Sequence, residues 1–236
     1  LLGGPDASIA HRRASSAAFA ANMPPLPDDL TAQAVTVGGV PAEQIEVRDG
    51  ATHAVILHLH GGGYVMGDPP GSRSLTTALA RGTGARVVSL DYRMAPAHPF
   101  PAAVDDALAA YRALLDGGTA PGAIAVGGES AGGGLTVALL LAIRDAGLPQ
   151  PACAFPLSPW VDLTCDAPNY ASRAARDPLL TRGVLLDMAR EYLAGASAHA
   201  PLASPHVWQM FGGLLPEADQ AVSAICGFVR ASVTED

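Results

Sequence analysis

A chain of 236 residues, 49% of them apolar, is long enough to bury a sizeable core within one domain. Its formal net charge of -8, with every basic side chain an arginine and none a lysine, lacks the electrostatic footprint of a nucleic-acid binder, so no polyanion is expected as a partner. Three widely spaced cysteines, Cys153, Cys165 and Cys226, fit neither a metal-ligand pattern nor a disulfide framework, which favours a reducing compartment.

In chain order, the Ala-rich N-terminal stretch to about Asp29 ends in Pro24, Pro25 and Pro27, which predicts a helix followed by an irregular linker. Within it, Arg12-Arg13 reads as a solvated helix face rather than a binding patch. From His53 to His60 aliphatic residues are interspersed with His and then break at three glycines, the pattern of a buried strand running into a loop. Similar runs recur at Arg86 to Leu90, Ala123 to Val126 and Ala152 to Leu157, and between them lie helical patterns at Ser74 to Arg81, Ala102 to Leu115 and Ala131 to Asp145. This alternation predicts an α/β fold: a mostly parallel sheet with crossover helices on both faces.

A late helical segment, Leu179 to Leu193, follows Asp177-Pro178, a common helix-start arrangement. Neither this segment nor the N-terminal helix belongs naturally to the sheet, so both are read as a helical cap over one edge. The expected division is an N-terminal cap segment at 1–30, an α/β core at 31–165, a second cap segment at 166–200 and a C-terminal part of the core at 201–236. The longest apolar run, Leu135 to Ile143, is far short of the roughly 20 residues a membrane span needs, and no charged-then-apolar leader is visible. A cytoplasmic location is expected; the chain begins at Leu1 rather than Met, which leaves room for a preceding leader or helix. A homodimer is left open.

Two glycine-rich motifs carry the chemistry. Gly128-Glu129-Ser130-Ala131-Gly132 falls between a predicted strand and a predicted helix, the setting of a nucleophile elbow, where a serine on a sharp turn needs small neighbours. His60-Gly61-Gly62-Gly63-Tyr64 follows the strand upstream, where a loop supplying backbone N–H donors is expected. Attack by Ser130 on an ester carbonyl places negative charge on oxygen, and the N–H groups of Gly62, Gly63 and Ala131 are candidates to stabilise it. A phosphate-cradling loop or a plain turn is the competing reading of the glycines, but no Lys follows and no Gly-x-Gly-x-x-Gly pattern appears.

These two motifs together resemble the hormone-sensitive-lipase-like family of bacterial esterases, which carry a His-Gly-Gly-Gly run upstream of a Gly-Asp/Glu-Ser-Ala-Gly elbow on an α/β-hydrolase fold. Asp91-Tyr92-Arg93-Met94-Ala95-Pro96, Pro99-Phe100-Pro101-Ala102-Ala103, Ser158-Pro159-Trp160-Val161-Asp162 and Pro201-Leu202-Ala203-Ser204-Pro205 are similar to the family as well. The resemblance implies a carboxylesterase acting on short- to medium-chain acyl esters through an acyl-serine intermediate, with Ser130 as nucleophile, the oxyanion hole at Gly62, Gly63 and Ala131, and no metal or organic cofactor. It implies that His60 steadies the glycine loop, that Asp91 and Arg93 are structural, and that Trp208, Met210 and Leu180 line the pocket.

The general base must come late, since this fold orders its triad as Ser, acid, His, and His199 and His206 are the histidines that follow Ser130. His206, in His206-Val207-Trp208-Gln209-Met210-Phe211, resembles the family's catalytic histidine. The family places further strands and an acid before that histidine, whereas here Pro205 is followed at once by His206, as if a stretch of about fifty residues were missing. Three explanations compete: residues spliced out of the sequence, a true deletion, or an acid recruited from elsewhere. The first is favoured, with the triad acid expected in the absent stretch. Asp162 is the substitute among residues present, although an aspartate there more readily caps or braces its loop. The rival functional reading is a non-catalytic ligand-binding protein on the same scaffold, similar to plant gibberellin receptors, and an amidase or peptidase shares the elbow.

Overall fold

The computed structural model describes residues 7–50, 52–172, 180–198 and 216–233. After a first helix, Ile9–Ala21 (α1), two alternating runs form a hairpin of Leu30–Val37 (β1) and Val40–Val47 (β2), paired antiparallel from Leu30↔Val47 to Val37↔Val40. Its turn residues Gly38 and Gly39 have φ of 62° and 83°. Positive φ at both central residues is the two-residue turn geometry that matches the twist of paired strands. The hairpin is absent from the expectations above; a Gly-Gly dipeptide between two alternating runs is the sequence signal for it.

The remaining strands, Val55–Leu59 (β3), Arg86–Leu90 (β4), Ile124–Glu129 (β5) and Cys153–Leu157 (β6), pair parallel as β4-β3-β5-β6, and β2 joins β4 antiparallel to give the order β1-β2-β4-β3-β5-β6. The expected mostly parallel sheet is therefore present, with an antiparallel hairpin at one edge. Arg73–Thr83 (α2), Ala102–Asp116 (α3), Ala131–Asp145 (α4), Asn169–Ser172 (α5), Arg182–Leu193 (α6) and Pro216–Ser232 (α7) are the remaining described α-helices, and Pro69–Ser72 and Pro121–Ala123 form short 3-10 turns. α6 starts at Arg182, where the Thr181 hydroxyl accepts the N–H of Val184 at 3.3 Å, so its cap is Thr181. The expected Asp177-Pro178 start lies outside the described residues.

Strand alternation divides the core in two. Val55, Leu57 and Leu59 of β3, Val88 and Leu90 of β4 and Ile124 and Val126 of β5 pack with buried residues of α3, α4 and α6. Ile45, Ile56, Val87, Ala125 and Phe155 face the other way, onto Leu75 and Leu79 of α2 and Val222, Cys226 and Val229 of α7. Helices thus cover both faces, and each fully buried aliphatic side chain contributes about 1.5–3 kcal/mol of transfer free energy. Because β4 lies on one side of β3 and β5 on the other, the loops that leave β3 and β5 diverge at a topological switch point, where a crevice forms at the strands' C-terminal ends.

One surface expectation is corrected. Arg12 is 1% exposed. Arg13 donates from Nε to the Val65 carbonyl at 2.7 Å and from Nη2 to the Ala95 carbonyl at 2.8 Å. Arg12 is thus buried rather than solvated, while Arg13 stays exposed at the helix surface and pins α1 to the chain segments after β3 and β4, since buried carbonyls need donors and a guanidinium reaches two at once. The Pro205–His206 junction, and with it the expected loss of strands, lies outside the described residues; among those described the sheet ends at β6. Among the described residues no helix is long and apolar enough to cross a membrane.

The turn supplies a stability test. A Cβ on Gly38 would lie 2.3 Å from the Ala109 carbonyl oxygen of α3, whereas one on Gly39 meets nothing within 4 Å. Gly39→Ala should cost about 1–2 kcal/mol, the strain of a positive φ alone. Gly38→Ala should cost at least about 3 kcal/mol because backbone must also move. Urea unfolding midpoints of the two variants check this, and equal losses would contradict the close approach.

Candidate active site

Ser130 sits between β5 and α4 with φ 57° and ψ -118°, a conformation a non-glycine residue adopts only when its surroundings enforce it. The enforcement is visible on both sides. The Ser130 N–H donates to the Leu157 carbonyl at the end of β6 at 2.9 Å, and its carbonyl accepts from Trp160 N at 2.8 Å and Gly134 N at 3.0 Å. A Cβ on Gly128 would fall 2.2 Å from the Leu59 carbonyl oxygen, and one on Gly132 would fall 1.9 Å from it. The elbow therefore fits against the end of β3 only because both flanking positions are glycine.

The loop leaving β3 meets this elbow directly, since a Cβ on Gly61 would stand 3.4 Å from the Ser130 Cβ. Gly62, Gly63 and Tyr64 take φ of 122°, 63° and 63°, and the Gly62 carbonyl accepts from Val65 N at 3.2 Å and Met66 N at 3.1 Å. Among the described residues, the N–H groups of Gly62, Gly63 and Ala131 have no hydrogen-bond partner. α6 lies against the loop: a Cβ on Gly63 would be 2.3 Å from the Met188 sulfur, and Tyr64 stacks on Tyr192 with ring centroids 3.8 Å apart.

His60 is buried, and desolvation holds its imidazole below the usual histidine value, so the ring is neutral at pH 7. Its Nδ1 donates to the Gly61 carbonyl at 2.7 Å, its ring stacks on Tyr92 at 4.3 Å, and the Tyr92 hydroxyl donates to the His60 carbonyl at 2.7 Å. His60 thus braces the loop. Arg93 forms a bidentate pair with Asp106 of α3, whose carboxylate also accepts the Arg93 N–H at 2.8 Å. Asp91 donates its backbone N–H to the Pro41 carbonyl at 2.9 Å, so both residues hold the segment after β4 in place.

A buried polar row escaped the sequence reading. The Glu129 carboxylate accepts from His58 Nε2 at 2.8 Å, from the Gly61 N–H at 2.9 Å and from the Ser72 hydroxyl at 2.7 Å, while His58 Nδ1 meets the Ser89 hydroxyl at 2.9 Å. Burial pushes the Glu129 carboxyl up, but His58, the Gly61 N–H and the Ser72 hydroxyl outweigh it and hold it below the usual glutamate value. A histidine and a glutamate inside otherwise apolar strands are the signal that points to such a pair, because buried charges need partners.

Asp162 accepts the backbone N–H of Thr164 at 2.9 Å and the Thr164 hydroxyl on the same oxygen, and so braces its own loop. Leu180 packs, partly buried, against the core cluster that includes α6. His199, His206, Trp208 and Met210 lie outside the described residues. A separate cavity of about 420 Å³ between α1 and the segment after β4 is lined by Arg13, Met66, Asp91, Arg93 and His98, and Ser130 is not part of it. Among the described residues no group of three His, Cys, Asp or Glu side chains is placed to hold a metal ion.

A parallel sheet with a strained serine after one central strand and a glycine loop after its neighbour is the arrangement of an α/β hydrolase. The model of the α/β-hydrolase fold family matches residues 56–221. An acetyl-hydrolase of Streptomyces hygroscopicus is 47% identical over 199 residues, 84% of this chain and 64% of that protein. The carboxylic ester hydrolase LipN of Mycobacterium tuberculosis is 32% identical over 94% of this chain and 61% of its own length. A crystal structure of an esterase from the bacterial hormone-sensitive lipase family superposes with a TM-score of 0.92 at 35% identity, covering 98% of this chain and 94% of that one. The chain belongs to the α/β-hydrolase fold family, on its hormone-sensitive-lipase-like branch. It spans about three-fifths of the length of the curated relatives it matches, 64% and 61% for those two.

The Glu129 environment yields a pH test. A carboxyl held below its ordinary 4.5 in the folded state contributes stability that is fully present above that value and is lost as pH falls through the lower folded value. The stability gap between the native chain and Glu129→Gln should hold constant above about pH 4.5 and narrow below it. Urea unfolding from pH 7 downward measures it, and a gap that widens on acidification would contradict the assignment.

Proposed function

We propose that this chain carries the catalytic core of a carboxylesterase that hydrolyses short- to medium-chain acyl esters through an acyl-serine intermediate. The observation that supports it most is Ser130 held at φ 57° where two glycine-dependent loops meet, with three N–H groups beside it unpaired among the described residues. In this reading His206 takes the Ser130 hydroxyl proton as Oγ bonds to the ester carbonyl carbon. The carbonyl oxygen takes up the negative charge, facing the N–H groups of Gly62, Gly63 and Ala131. Collapse of the tetrahedral species breaks the bond to the alkoxy group, which leaves with the proton from His206. Water, deprotonated by the same imidazole, then releases the acid and restores Ser130.

The electrostatics favour this reading. Ala131 is the first residue of α4, so the positive end of that helix faces the developing oxyanion. Each fixed donor of this kind is worth about 3–4 kcal/mol of transition-state stabilisation. The name of one relative, acetyl-hydrolase, supports a small acyl group, and that of the other, carboxylic ester hydrolase, supports an ester substrate. Met188 and Tyr192 of α6, packed on the glycine loop, support the role of that helix as part of a cap. Three free, buried cysteines agree with a cytoplasmic location.

Ser130→Ala in the intact protein should abolish nitrophenyl-ester hydrolysis, and a fluorophosphonate probe should label the native protein and not the variant. Turnover undiminished in Ser130→Ala would rule out the mechanism, and a native protein that neither turns over nor labels would favour ligand binding on this scaffold.

A further inference from the structure

Consecutive peptide units of the glycine loop are held on both sides. In the His60–Gly61 unit the carbonyl accepts the Tyr92 hydroxyl at 2.7 Å and the N–H donates to Glu129 Oε1 at 2.9 Å. In the next unit the Gly61 carbonyl accepts from His60 Nδ1 at 2.7 Å. A trans peptide points its C=O and N–H in opposite directions, so fixing that carbonyl aims the Gly62 N–H the other way. The first proposed oxyanion donor is thus held by its own unit's carbonyl on His60 and by the unit before it, whose N–H ends on a carboxylate next to Ser130 in sequence.

We propose that Glu129 is a positioning residue for the oxyanion loop: its carboxylate, anchored by His58 and Ser72 on the buried face of the sheet, fixes the Gly61 N–H and through it the donors that follow. The inference rests on the proposed hydrolase function and adds to it a residue that never touches substrate. Sheet register places the row. His58 pairs with Ser89 across β3 and β4 and with Gly127 across β3 and β5, so Ser89, His58 and Glu129 share one face, that of Ile56, Val87 and Ala125. Ser89 to His58 to Glu129 has the donor order of a hydrolytic triad, but Ser89 and His58 are 0% exposed and Glu129 1%. No substrate reaches that hydroxyl. The carboxylate's remaining contacts, the Ser72 hydroxyl and the Gly61 N–H, share the single oxygen Oε1, which ties α2's N-terminal cap residue to the glycine loop.

The geometry also resolves a chemical conflict. An ionised carboxylate adjacent to a nucleophile would oppose the growing oxyanion if it pointed toward it. Here both oxygens are committed to donors, Oε2 to His58 and Oε1 to the Ser72 hydroxyl and the Gly61 N–H, so its charge serves as an acceptor for the loop.

The test compares two variants of the intact chain. Glu129→Gln keeps the length and one acceptor oxygen; Glu129→Met keeps the length and removes the acceptor. Nitrophenyl-acetate kinetics of Glu129→Met should show kcat lower by about 10- to 100-fold, a fraction of what loss of an oxyanion donor costs, with KM changed by less than about threefold. Amide hydrogen exchange of the 60–66 segment should accelerate in that variant, and Glu129→Gln should restore both readouts to within a few-fold of native. His58→Gln, which leaves the Gly61 acceptor in place and removes one anchor, should give a smaller loss and serves if Glu129→Met does not fold. Unchanged exchange and kcat in Glu129→Met, or a Glu129→Gln variant as impaired as Glu129→Met, would overturn the proposal. If the native chain shows no Ser130-dependent turnover the hydrolase reading fails by itself, while the exchange measurement still decides the role of Glu129.

Discussion

The site depends on how closely the elbow after β5 approaches the last residues of β3. The Leu59 carbonyl oxygen lies so near that a Cβ on Gly128 or Gly132 would overlap it at 2.2 or 1.9 Å. Glycine in the first turn of a helix costs roughly 1 kcal/mol relative to alanine, and α4 nevertheless carries Gly132, Gly133 and Gly134 there. The conformational loss is offset by contact that brings Ser130, the start of α4 and the glycine loop to one point. Parallel pairing of β3 with β5 sets the register of that contact, and the reversal of strand order beside it opens the crevice.

A second layer of organisation is polar and buried. Ser89, His58, Glu129 and Ser72 cross the sheet beneath the loop, and each polar contact joins segments distant in sequence, 71 residues apart for His58 and Glu129. Such networks are stable only when every member is satisfied, and they then specify a single arrangement of the groups they touch. On the other side of the loop the restraints come from α6, whose Met188 and Tyr192 cover Gly63 and Tyr64, and from α1, whose Arg13 holds the Val65 carbonyl. The strained backbone at Ser130 and Tyr64 is thus over-determined from several directions, as backbone held off its preferred angles must be.

Local pattern reveals much of this. β4 and α4 coincide with their expected bounds, and α2, α3, β3, β5 and β6 fall within a few residues of theirs, because buried aliphatic runs and 3.6-residue periodicity are local signals. The β1–β2 hairpin was equally legible in Gly38-Gly39 but has a half-exposed, mixed composition that apolar runs do not flag. The Ser130 elbow and the glycine loop were readable as motifs, since their glycines are demanded by close approach. The burial of Arg12 and the Glu129 row were not, because a charged residue's burial depends on partners that only the tertiary fold brings near. His206 falls outside the described residues, and the acid expected to orient it belongs to a stretch absent from the sequence between Pro205 and His206.

The central claim is that Ser130 is the nucleophile, and trapping of the acyl-enzyme tests it most directly. Brief mixing of the intact protein with nitrophenyl acetate, followed by acid quench and peptide mass spectrometry, should place one acetyl group on the peptide bearing Ser130 and none on that peptide in Ser130→Ala. Ester turnover with no acetyl group at Ser130 under single-turnover conditions, or acetylation confined to another residue, would contradict the account.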